Sequence, residues 1–373
     1  MAAKEYMVFV GTYSETIKLG TGEVVYAKGE GIYTLKMNAE TGELTLMSKA
    51  LGEPNPSYVA LHKNKKYLYS TNELKQYKGL VSGAASAFSL DQRTGKLTPI
   101  NRVATGGTDA VHLALNKDCT HLFVANFMSG SVCVIPLLED GSLDRPSCFL
   151  QHKGTGPNPI RQTGPHAHMF AFDRLEKRAF VPDLGCDKTF IYDIDYENGH
   201  LNAAPQPFVE TDKGEGPRHL AFHPSGKYFY VVNEMGSSVD AYTYDEESGA
   251  AARFQHISTL PAGYTEHSTC AAIKFHPNGK FVYASNRGHN SLATYRVEED
   301  GRLTLLEVQS TGGEIPRDFA FTPDGKFLIA ANQDTNDLVV FRVDGETGHM
   351  TEVSRLDNIF TATCVAIYDM DAE

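Results

Sequence analysis

The sequence predicts an all-β protein, a seven-bladed β-propeller with four antiparallel strands in each blade. Two observations lead to this prediction: one hairpin pattern recurs six times, and the two ends of the chain together supply a seventh unit. The hairpins start 46 to 57 residues apart. Four strands at such a period are typical of propeller blades. We therefore interpret residues 1–373 as a single propeller domain.

The repeated hairpin consists of an apolar strand, a tight turn and a second apolar strand. Three copies are PRHLAFHPSGKYFYVVNE, AAIKFHPNGKFVYASNR and PRDFAFTPDGKFLIAANQ. Their PSG, PNG and PDG turns suit antiparallel pairing, because Pro presets φ and Gly accepts a positive φ. The hairpins start at Ser57, Val111, His168, Arg218, Ala271 and Arg317, and each second strand ends 15 residues later, at Asn72, Asn126, Asp183, Asn233, Asn286 and Asn332. This constant length indicates one repeated structure.

The rest of each unit supplies two more strands, such as SLATYRVE and LTLLEVQ. The N-terminus adds the strands MVFVGTY, GIYTLKM and LTLMSKA, and the C-terminus adds TCVAIYD, in which Thr363 fits the start register. Pairing this last strand with the first three closes the ring and removes open sheet edges. The polar, Gly-rich insert between Thr12 and Gly31 is expected to form a long loop over one face.

Composition restricts the partners of this protein. A formal net charge of −12 disfavours nucleic acid and anionic membranes, which bind through dense Lys and Arg contacts. There is no signal-peptide pattern and no apolar run long enough to cross a bilayer, so we expect a cytoplasmic protein without membrane contact. The six cysteines lack a CxxC pair and are expected to be reduced thiols. We expect a monomer or a weak homo-oligomer.

Polar residues that break the repeat point to a functional site. In an antiparallel hairpin the first strand starts where the second ends, so both sets of positions meet at one mouth of the channel. The blade-specific polar residues at these positions are His168, Arg218, Arg317, Glu73, Glu234, Arg287 and Gln333. The repeated Asn, in contrast, is interpreted as a turn residue that bonds to its own backbone. The residues His223, His276 and Thr322 of the turns are likewise interpreted as structural.

Other interpretations of these residues remain open. Glu234 with Arg218 or with Arg287 would also make an ion pair that braces neighbouring blades. His166 and His168 in GPHAH resemble a metal pair, but we expect their side chains to face opposite ways and predict no metal and no cofactor. No GxSxG, HExxH or phosphate-binding loop occurs in the required context.

The segments VGTY, GPHAHMFAFD, GPRHLAFHPSGKYFYVVNE and VYASNRGHNSLATY resemble the lactonase family of bacterial propeller-type 6-phosphogluconolactonases. The resemblance covers essentially the whole chain, and the wider family includes fungal carboxymuconate cyclases. It implies a catalytic site of His168, Arg218, Glu234 and Arg287. The implied activity is metal-independent hydrolysis of a small anionic sugar lactone, 6-phosphogluconolactone, in the pentose phosphate pathway.

Within this hypothesis His168 or Glu234 takes the proton from water, and Arg218 or Arg287 faces the developing oxyanion. Arg317 is expected to hold the phosphate. The remaining expected substrate-binding residues are Glu73, His166 and Gln333. Two alternatives stay open: a muconate-type cyclase or a lactonase for unphosphorylated sugar lactones, and a non-catalytic propeller that binds a protein partner.

Overall fold

The strands are taken from a computed structural model that describes residues 4–371. Within these residues there are thirty β-strands and no helix, so no helical segment long and apolar enough for a membrane span is found among them. The N-terminal strands are β1 (Glu5–Thr12), β2 (Ile17–Lys18), β3 (Val24–Val25), β4 (Gly31–Asn38) and β5 (Leu44–Leu51).

The next three groups of four strands follow the hairpin repeat. They are β6 (Val59–Leu61), β7 (Tyr67–Asn72), β8 (Ala84–Asp91) and β9 (Lys96–Ala104). Then come β10 (Ala110–Leu115), β11 (His121–Asn126), β12 (Ser131–Pro136) and β13 (Cys148–Gln151). After these lie β14 (Ala171–Phe172), β15 (Arg178–Asp183), β16 (Lys188–Asp195) and β17 (His200–Glu210).

The last three groups complete the chain. They begin with β18 (Pro217–Phe222), β19 (Tyr228–Asn233), β20 (Ser238–Tyr244) and β21 (Ala251–Ser258). These are followed by β22 (Thr269–Phe275), β23 (Phe281–Arg287), β24 (Ser291–Val297) and β25 (Leu303–Ser310). The final strands are β26 (Pro316–Phe321), β27 (Phe327–Asn332), β28 (Asp337–Val343), β29 (Met350–Asp357) and β30 (Ala362–Asp369).

Twenty-eight of the thirty strands in the described residues form seven four-stranded antiparallel sheets, which confirms the seven-bladed propeller, and β2 and β3 form a separate hairpin. Six sheets follow chain order, and the seventh has the order β30-β1-β4-β5, so the C-terminal strand closes the ring as predicted. We number the blades from this one, as blade 1, along the chain to β26–β29, blade 7. The apolar core lies between blades: residues of neighbouring sheets share each cluster, as Tyr230 and Tyr295 do. The turn glycine Gly226 has a φ of +74°, as the PSG hairpin requires.

A feature that the sequence did not reveal is a β-bulge at the start of the innermost strands. The extra, unpaired residue of the bulge is Val111, Arg218, Arg317 or Thr363 in four different blades. A bulge changes the direction of a side chain relative to a regular ladder. Two of the predicted site arginines, Arg218 and Arg317, therefore lie at bulges, where their side chains point in a different direction from those of a regular strand.

The repeated Asn is structural, but its expected partner was wrong. In four blades these side chains bond to the residue that starts the third strand, whereas Asn72 bonds to Glu53, Pro54 and Ser86. Asn126 and Asn233 donate to the hydroxyls of Ser131 and Ser238, over 3.3 and 3.0 Å. The side chain thus ties the second strand to the third across the turn at the mouth.

The insert between Thr12 and Gly31 was expected to lie outside the core. Its β2–β3 hairpin does lie over the mouth, and Leu19 and Thr21 line the cavity there. Tyr13, however, is fully buried, because its ring lies beneath this hairpin against Arg317. The start of the insert is therefore part of the packed mouth, which corrects the expectation for this residue.

Candidate active site

Glu234 is the centre of a buried cluster of charges at the mouth. It follows β19 directly and is 4% exposed. One of its carboxylate oxygens accepts a bond from Arg161 Nη2 at 2.6 Å. The other accepts from Arg218 Nε at 2.9 Å and lies 2.8 Å from Arg287 Nη2. Blades 5 and 6 and the loop after β13 thus meet at a single carboxylate.

Three guanidinium groups share this one carboxylate, so the cluster has an excess of positive charge. Burial alone would raise the pKa of Glu234, but Arg287, Arg161 and Arg218 together hold it well below the usual value. Burial and the nearby Arg287 lower the pKa of Arg218 to about 9, which leaves it protonated at neutral pH. The cluster is therefore ionised throughout, and its excess charge favours an anion in the cavity.

The ion pairs that the sequence left open, Arg218 and Arg287 with Glu234, are both present. Both arginines also donate to a backbone carbonyl, Arg287 through Nη2 to that of Cys270 at 2.8 Å. Arg218 also donates to the carbonyl of Ala271 at 2.6 Å, beneath the cavity. The Nε of Arg287 is buried without a hydrogen-bond partner among residues 4–371. Arg287 therefore keeps one N–H without a protein partner among these residues, and its side chain lines the cavity.

A second chain of polar contacts links blades 7, 1 and 2. Arg317 Nη2 donates to the hydroxyl of Tyr13 at 2.7 Å, and this hydroxyl donates to the carboxylate of Glu73 at 3.0 Å. Burial raises the pKa of Tyr13, so its hydroxyl stays protonated and continues to donate. Burial also raises the pKa of Glu73, against the opposing effect of Arg317.

His168 lies between these two groups, in blade 4, and is 5% exposed. Its ring contacts that of His219 edge to face, with centroids 5.1 Å apart. Burial, reinforced by Arg218, holds the pKa of His168 well below the usual value. The imidazole is therefore neutral at neutral pH. Its Nδ1 has no hydrogen-bond partner within the described part of the chain.

Asp109 lies across the mouth from the arginine cluster, on the loop that enters blade 3. It is 2% exposed, and neither of its carboxylate oxygens has a hydrogen-bond partner among residues 4–371. Burial, together with the charge of Glu73, raises the pKa of Asp109 to about 7. This carboxyl group is the opposite of Glu234 in both its contacts and its proton affinity.

These side chains line two adjoining spaces. An inner pocket of about 40 Å³ is bordered by Asp109, His168 and Glu73, with the β2–β3 hairpin above it. An outer cavity of about 520 Å³ extends towards Gln333 and His267. The charged residues that border both spaces are Arg161, Glu234, Arg287 and Arg317. The outer cavity is within the usual size range of small-molecule sites, roughly 300–1,000 Å³.

The structure brings most of the predicted residues to the mouth, but not His166. Its ring stacks on Phe127 with centroids 4.7 Å apart and bonds to the Phe127 carbonyl, and it borders neither space. The expectation that His166 and His168 face opposite ways was wrong, because both rings contact Phe127. Residues i and i+2 of an extended chain share a side. Within residues 4–371 no group of three or more His, Cys, Asp or Glu is placed to hold a metal ion.

Sequence reasoning missed Tyr13, Arg161 and Asp109. Arg161 and Asp109 lie in connections, outside the two repeat positions that were compared between blades. Tyr13 occupies the blade 1 counterpart of the Glu234 position, because its N–H donates to the carbonyl of Thr361 as that of Glu234 donates to Gly216. A signal for Asp109 was nevertheless present two residues before the start position. The residues there are Asn55, Asp109, His166, Gly216, Thr269, Ile315 and Thr361. Asp109 is the one acidic residue of this set, and its backbone carbonyl accepts a bond from Phe127, which follows the repeated Asn.

Comparisons with known proteins agree with this architecture. The family described as "Lactonase, 7-bladed beta-propeller" matches residues 7–367. The chain is 35% identical to the 6-phosphogluconolactonase of Bacillus subtilis over 366 residues, 97% of this chain and 98% of that protein. The crystal structure of a periplasmic gluconolactonase from Pseudomonas aeruginosa superposes with a TM-score of 0.88 at 30% identity, covering 97% of this chain and 99% of that one.

Proposed function

Since this chain belongs to the family of seven-bladed β-propeller lactonases, we propose that it hydrolyses 6-phospho-D-glucono-1,5-lactone to 6-phosphogluconate. The observation that carries the proposal is the excess of arginine around Glu234 at a cavity of suitable size. Named relatives support this substrate, including the 6-phosphogluconolactonases of Bacillus subtilis and of Formosa agariphila, the latter 32% identical over 297 residues. The reaction belongs to the pentose phosphate pathway and is proposed to need no metal.

The substrate is proposed to occupy the outer cavity. Arg161, Arg287 and Arg317 border it, and a guanidinium fork suits phosphate oxygens. We assign the phosphate to Arg317, because it is tied to Tyr13 rather than to Glu234. Gln333 borders the same cavity and is proposed to contact the sugar hydroxyls.

The lactone carbonyl is proposed to lie against Arg287, where the two spaces adjoin. The side chain of this residue borders both spaces, and its guanidinium group is a fixed donor for the oxygen that becomes negative as water attacks. Arg218 borders neither space, and it donates to Glu234 and to the carbonyl of Ala271, so it positions the cluster. Of the two arginines considered from the sequence, the contacts therefore favour Arg287 as the oxyanion ligand.

The attacking water is proposed to lie in the inner pocket. Its volume of about 40 Å³ holds roughly three water molecules and is too small for a sugar ring. His168 borders this pocket as a neutral imidazole and can orient a water through a ring nitrogen. Glu234 is disfavoured as the base, because three arginines keep its pKa low.

The test is an assay of purified, chelator-treated protein on freshly generated 6-phosphogluconolactone. Spontaneous hydrolysis is subtracted at each pH. We expect acceleration that is unchanged after chelation. An absence of acceleration would reject the proposed function, and a loss on chelation that a divalent metal restores would reject metal independence.

A second candidate substrate is unphosphorylated gluconolactone, because the Pseudomonas aeruginosa neighbour is named a periplasmic gluconolactonase. The same assay with both lactones separates the candidates. A higher kcat/KM for the plain lactone would remove Arg317 as a phosphate ligand. Conversion of a muconate into its lactone, the reverse of lactone opening, would identify the cyclase alternative. A cytoplasmic location and a monomeric or weakly associated state stay predictions, which fractionation and light scattering would test.

A further inference from the structure

Asp109 has the surroundings expected of a group that binds a ligand. The other acidic residues that border the inner pocket have protein partners: Glu234 has arginines, and Glu73 has Tyr13. Asp109 is as buried as these two, yet within residues 4–371 both of its oxygens lack a hydrogen-bond partner. A buried carboxyl group without partners is costly, and such groups are retained where they have a function.

The backbone of Asp109 fixes the side chain in place. Its φ is +55°, a left-handed conformation that Asp and Asn adopt more readily than most residues. The peptide is held on both sides, because its N–H donates to Leu74 and its carbonyl accepts from Phe127, each at 2.8 Å. The side chain therefore leaves the backbone in a fixed direction at the pocket wall.

The charged groups around Asp109 come from several elements. Glu73 and Lys75, after β7, act on it in opposite directions, the first raising and the second lowering its pKa. Lys18 of the β2–β3 hairpin, Arg161 and His168 border the same pocket from other sides. The pocket thus has an acidic side at Glu73 and Asp109 and a basic side across from it.

We propose that Asp109 is a catalytic residue that takes a proton from the hydrolytic water and returns it to the ring oxygen of the lactone. The inference rests on the proposed lactone hydrolysis. It follows from position: Asp109 borders the inner pocket, so it faces the water and, where the two spaces adjoin, the reacting end of the lactone.

The proposed step balances without any other reactant. An O–H bond of water breaks, its proton moves to the Asp109 carboxylate, and the water oxygen bonds to the carbonyl carbon. The carbonyl oxygen becomes an anion next to Arg287. When the tetrahedral intermediate collapses, the bond from this carbon to the ring oxygen breaks and Asp109 gives its proton to that oxygen. The new carboxylic acid then releases a proton to solvent.

The proton affinity of Asp109 agrees with this placement. A base acts best when its pKa lies near the working pH, and burial raises the pKa of Asp109 to about 7. Both other bases considered from the sequence hold a proton poorly: Glu234 because of its arginines, and His168 because of burial and Arg218. Asp109 alone of the three exchanges a proton near neutrality.

The direct test is the pH dependence of kcat/KM in wild type and Asp109→Asn. Asn tolerates the left-handed backbone and keeps the shape of the side chain. Wild type should gain activity with a midpoint near pH 7, as Asp109 loses its proton. The variant should lose roughly 100-fold or more in rate together with this midpoint.

A matched control is Asp187→Asn, because Asp187 is also buried with a positive φ of 54° but lies outside both spaces. Its midpoint should not move. A second variant, Asp109→Gly, keeps the backbone free to adopt its φ and leaves room for formate, which should restore part of the rate.

The outcomes separate this inference from the proposed function. Wild type that fails to accelerate lactone hydrolysis rejects both. Active wild type with Asp109→Asn retaining either its rate or its midpoint rejects the role of Asp109 alone. A folded Asp109→Gly variant that formate does not improve also counts against it.

Discussion

The two sides of the propeller mouth differ in whether their buried ionisable groups have partners. Around blades 5 and 6, Arg218 and Arg287 are both bound to Glu234, and all three groups are charged at neutral pH. At blade 3, Asp109 is equally buried but has no partner within residues 4–371, and its pKa is raised to about 7. The same burial therefore yields a permanent charge where partners are present and a titratable group where they are not.

This difference suggests that the two sides of the mouth have different roles in the reaction. Groups whose charge is fixed are suited to bind an anion and to stabilise charge that develops during reaction. A group that titrates near neutrality is suited to move a proton. The proposed chemistry uses one side of the mouth for each task.

The largest expected effect is that of Glu234→Gln. The change leaves Arg161, Arg218 and Arg287 together without their carboxylate, and loss of one partner from a buried ion pair costs about 3–5 kcal/mol. Denaturant unfolding should show this loss, and lactonase activity should fall to background. An unfolding free energy within about 1 kcal/mol of wild type, the range of an exposed ion pair, would contradict a tightly coupled cluster.

Asp109→Asn should act on stability in the opposite direction. The folded pKa is raised from 3.8 to about 7, so the wild-type folded state loses stability as pH rises through this window. At about 1.4 kcal/mol per pKa unit the loss reaches up to about 4 kcal/mol above pH 7. The variant lacks this ionisation.

The free energy of unfolding, measured at pH 4.5, 6 and 8, should therefore increase for Asp109→Asn relative to wild type as pH rises. Asp187→Asn serves as the control, because Asp187 accepts bonds from Gln162 and from the N–H of Gly216. It should be destabilised instead. A constant difference between Asp109→Asn and wild type at all three pH values would show that Asp109 does not titrate in this range.

Arg287→Ala should lower kcat by about 10²–10³-fold, through loss of an oxyanion donor worth roughly 3 kcal/mol. Glu234 keeps two arginines in this variant, so the protein should stay folded. Arg317→Ala should instead act mainly on KM. An exposed control, Arg174→Ala, breaks an ion pair with Glu246 on the surface and should change neither constant. A wild-type kcat for Arg287→Ala would show that Arg287 only connects neighbouring blades through its ion pair with Glu234.

The smallest expected effect is that of Tyr13→Phe, which removes the hydroxyl between Arg317 and Glu73. We expect a loss of about 1 kcal/mol in stability and a several-fold rise in KM, because Arg317 loses a support. Tyr283→Phe is the matched control, since its buried hydroxyl bonds to the carbonyl of Gly348, a residue that borders neither space at the mouth. It should lose stability without a change in KM. Equal KM values for the two variants would separate Tyr13 from the site.

Much of the fold was predictable because a repeated sequence reveals itself by comparison with its own copies. The turns PSG, PNG and PDG and the constant hairpin length defined the blades, and Thr363 in the C-terminal strand predicted the closure of the ring. The same comparison selected Arg218, Glu234 and Arg287 as residues that differ between blades, and these three are in contact.

The rest was not predictable, because it depends on connections that do not repeat. Arg161 lies in the loop after β13 and has no equivalent in other blades to compare with. Tyr13 has equivalents such as Glu73 and Glu234, but its blade combines both ends of the chain, so the constant 15-residue hairpin length does not lead to it. Asp109 does have equivalents, but its partners can be judged only in three dimensions. The same applies to His166, which occupies the equivalent position in blade 4 and bonds to Phe127 instead of bordering the pocket.

The central claim, that burial with and without partners divides the mouth into a fixed and a titratable side, is tested most directly by NMR titration of side-chain carboxyl carbons. Protein labelled at the Asp and Glu carboxyl carbons is titrated from pH 4 to 9, with Asp109→Asn and Glu234→Gln identifying the two signals. The account predicts a midpoint near pH 7 for Asp109 and an ionised Glu234 over the whole range. An Asp109 signal already ionised at pH 5, or a Glu234 signal that titrates near neutrality, would contradict it.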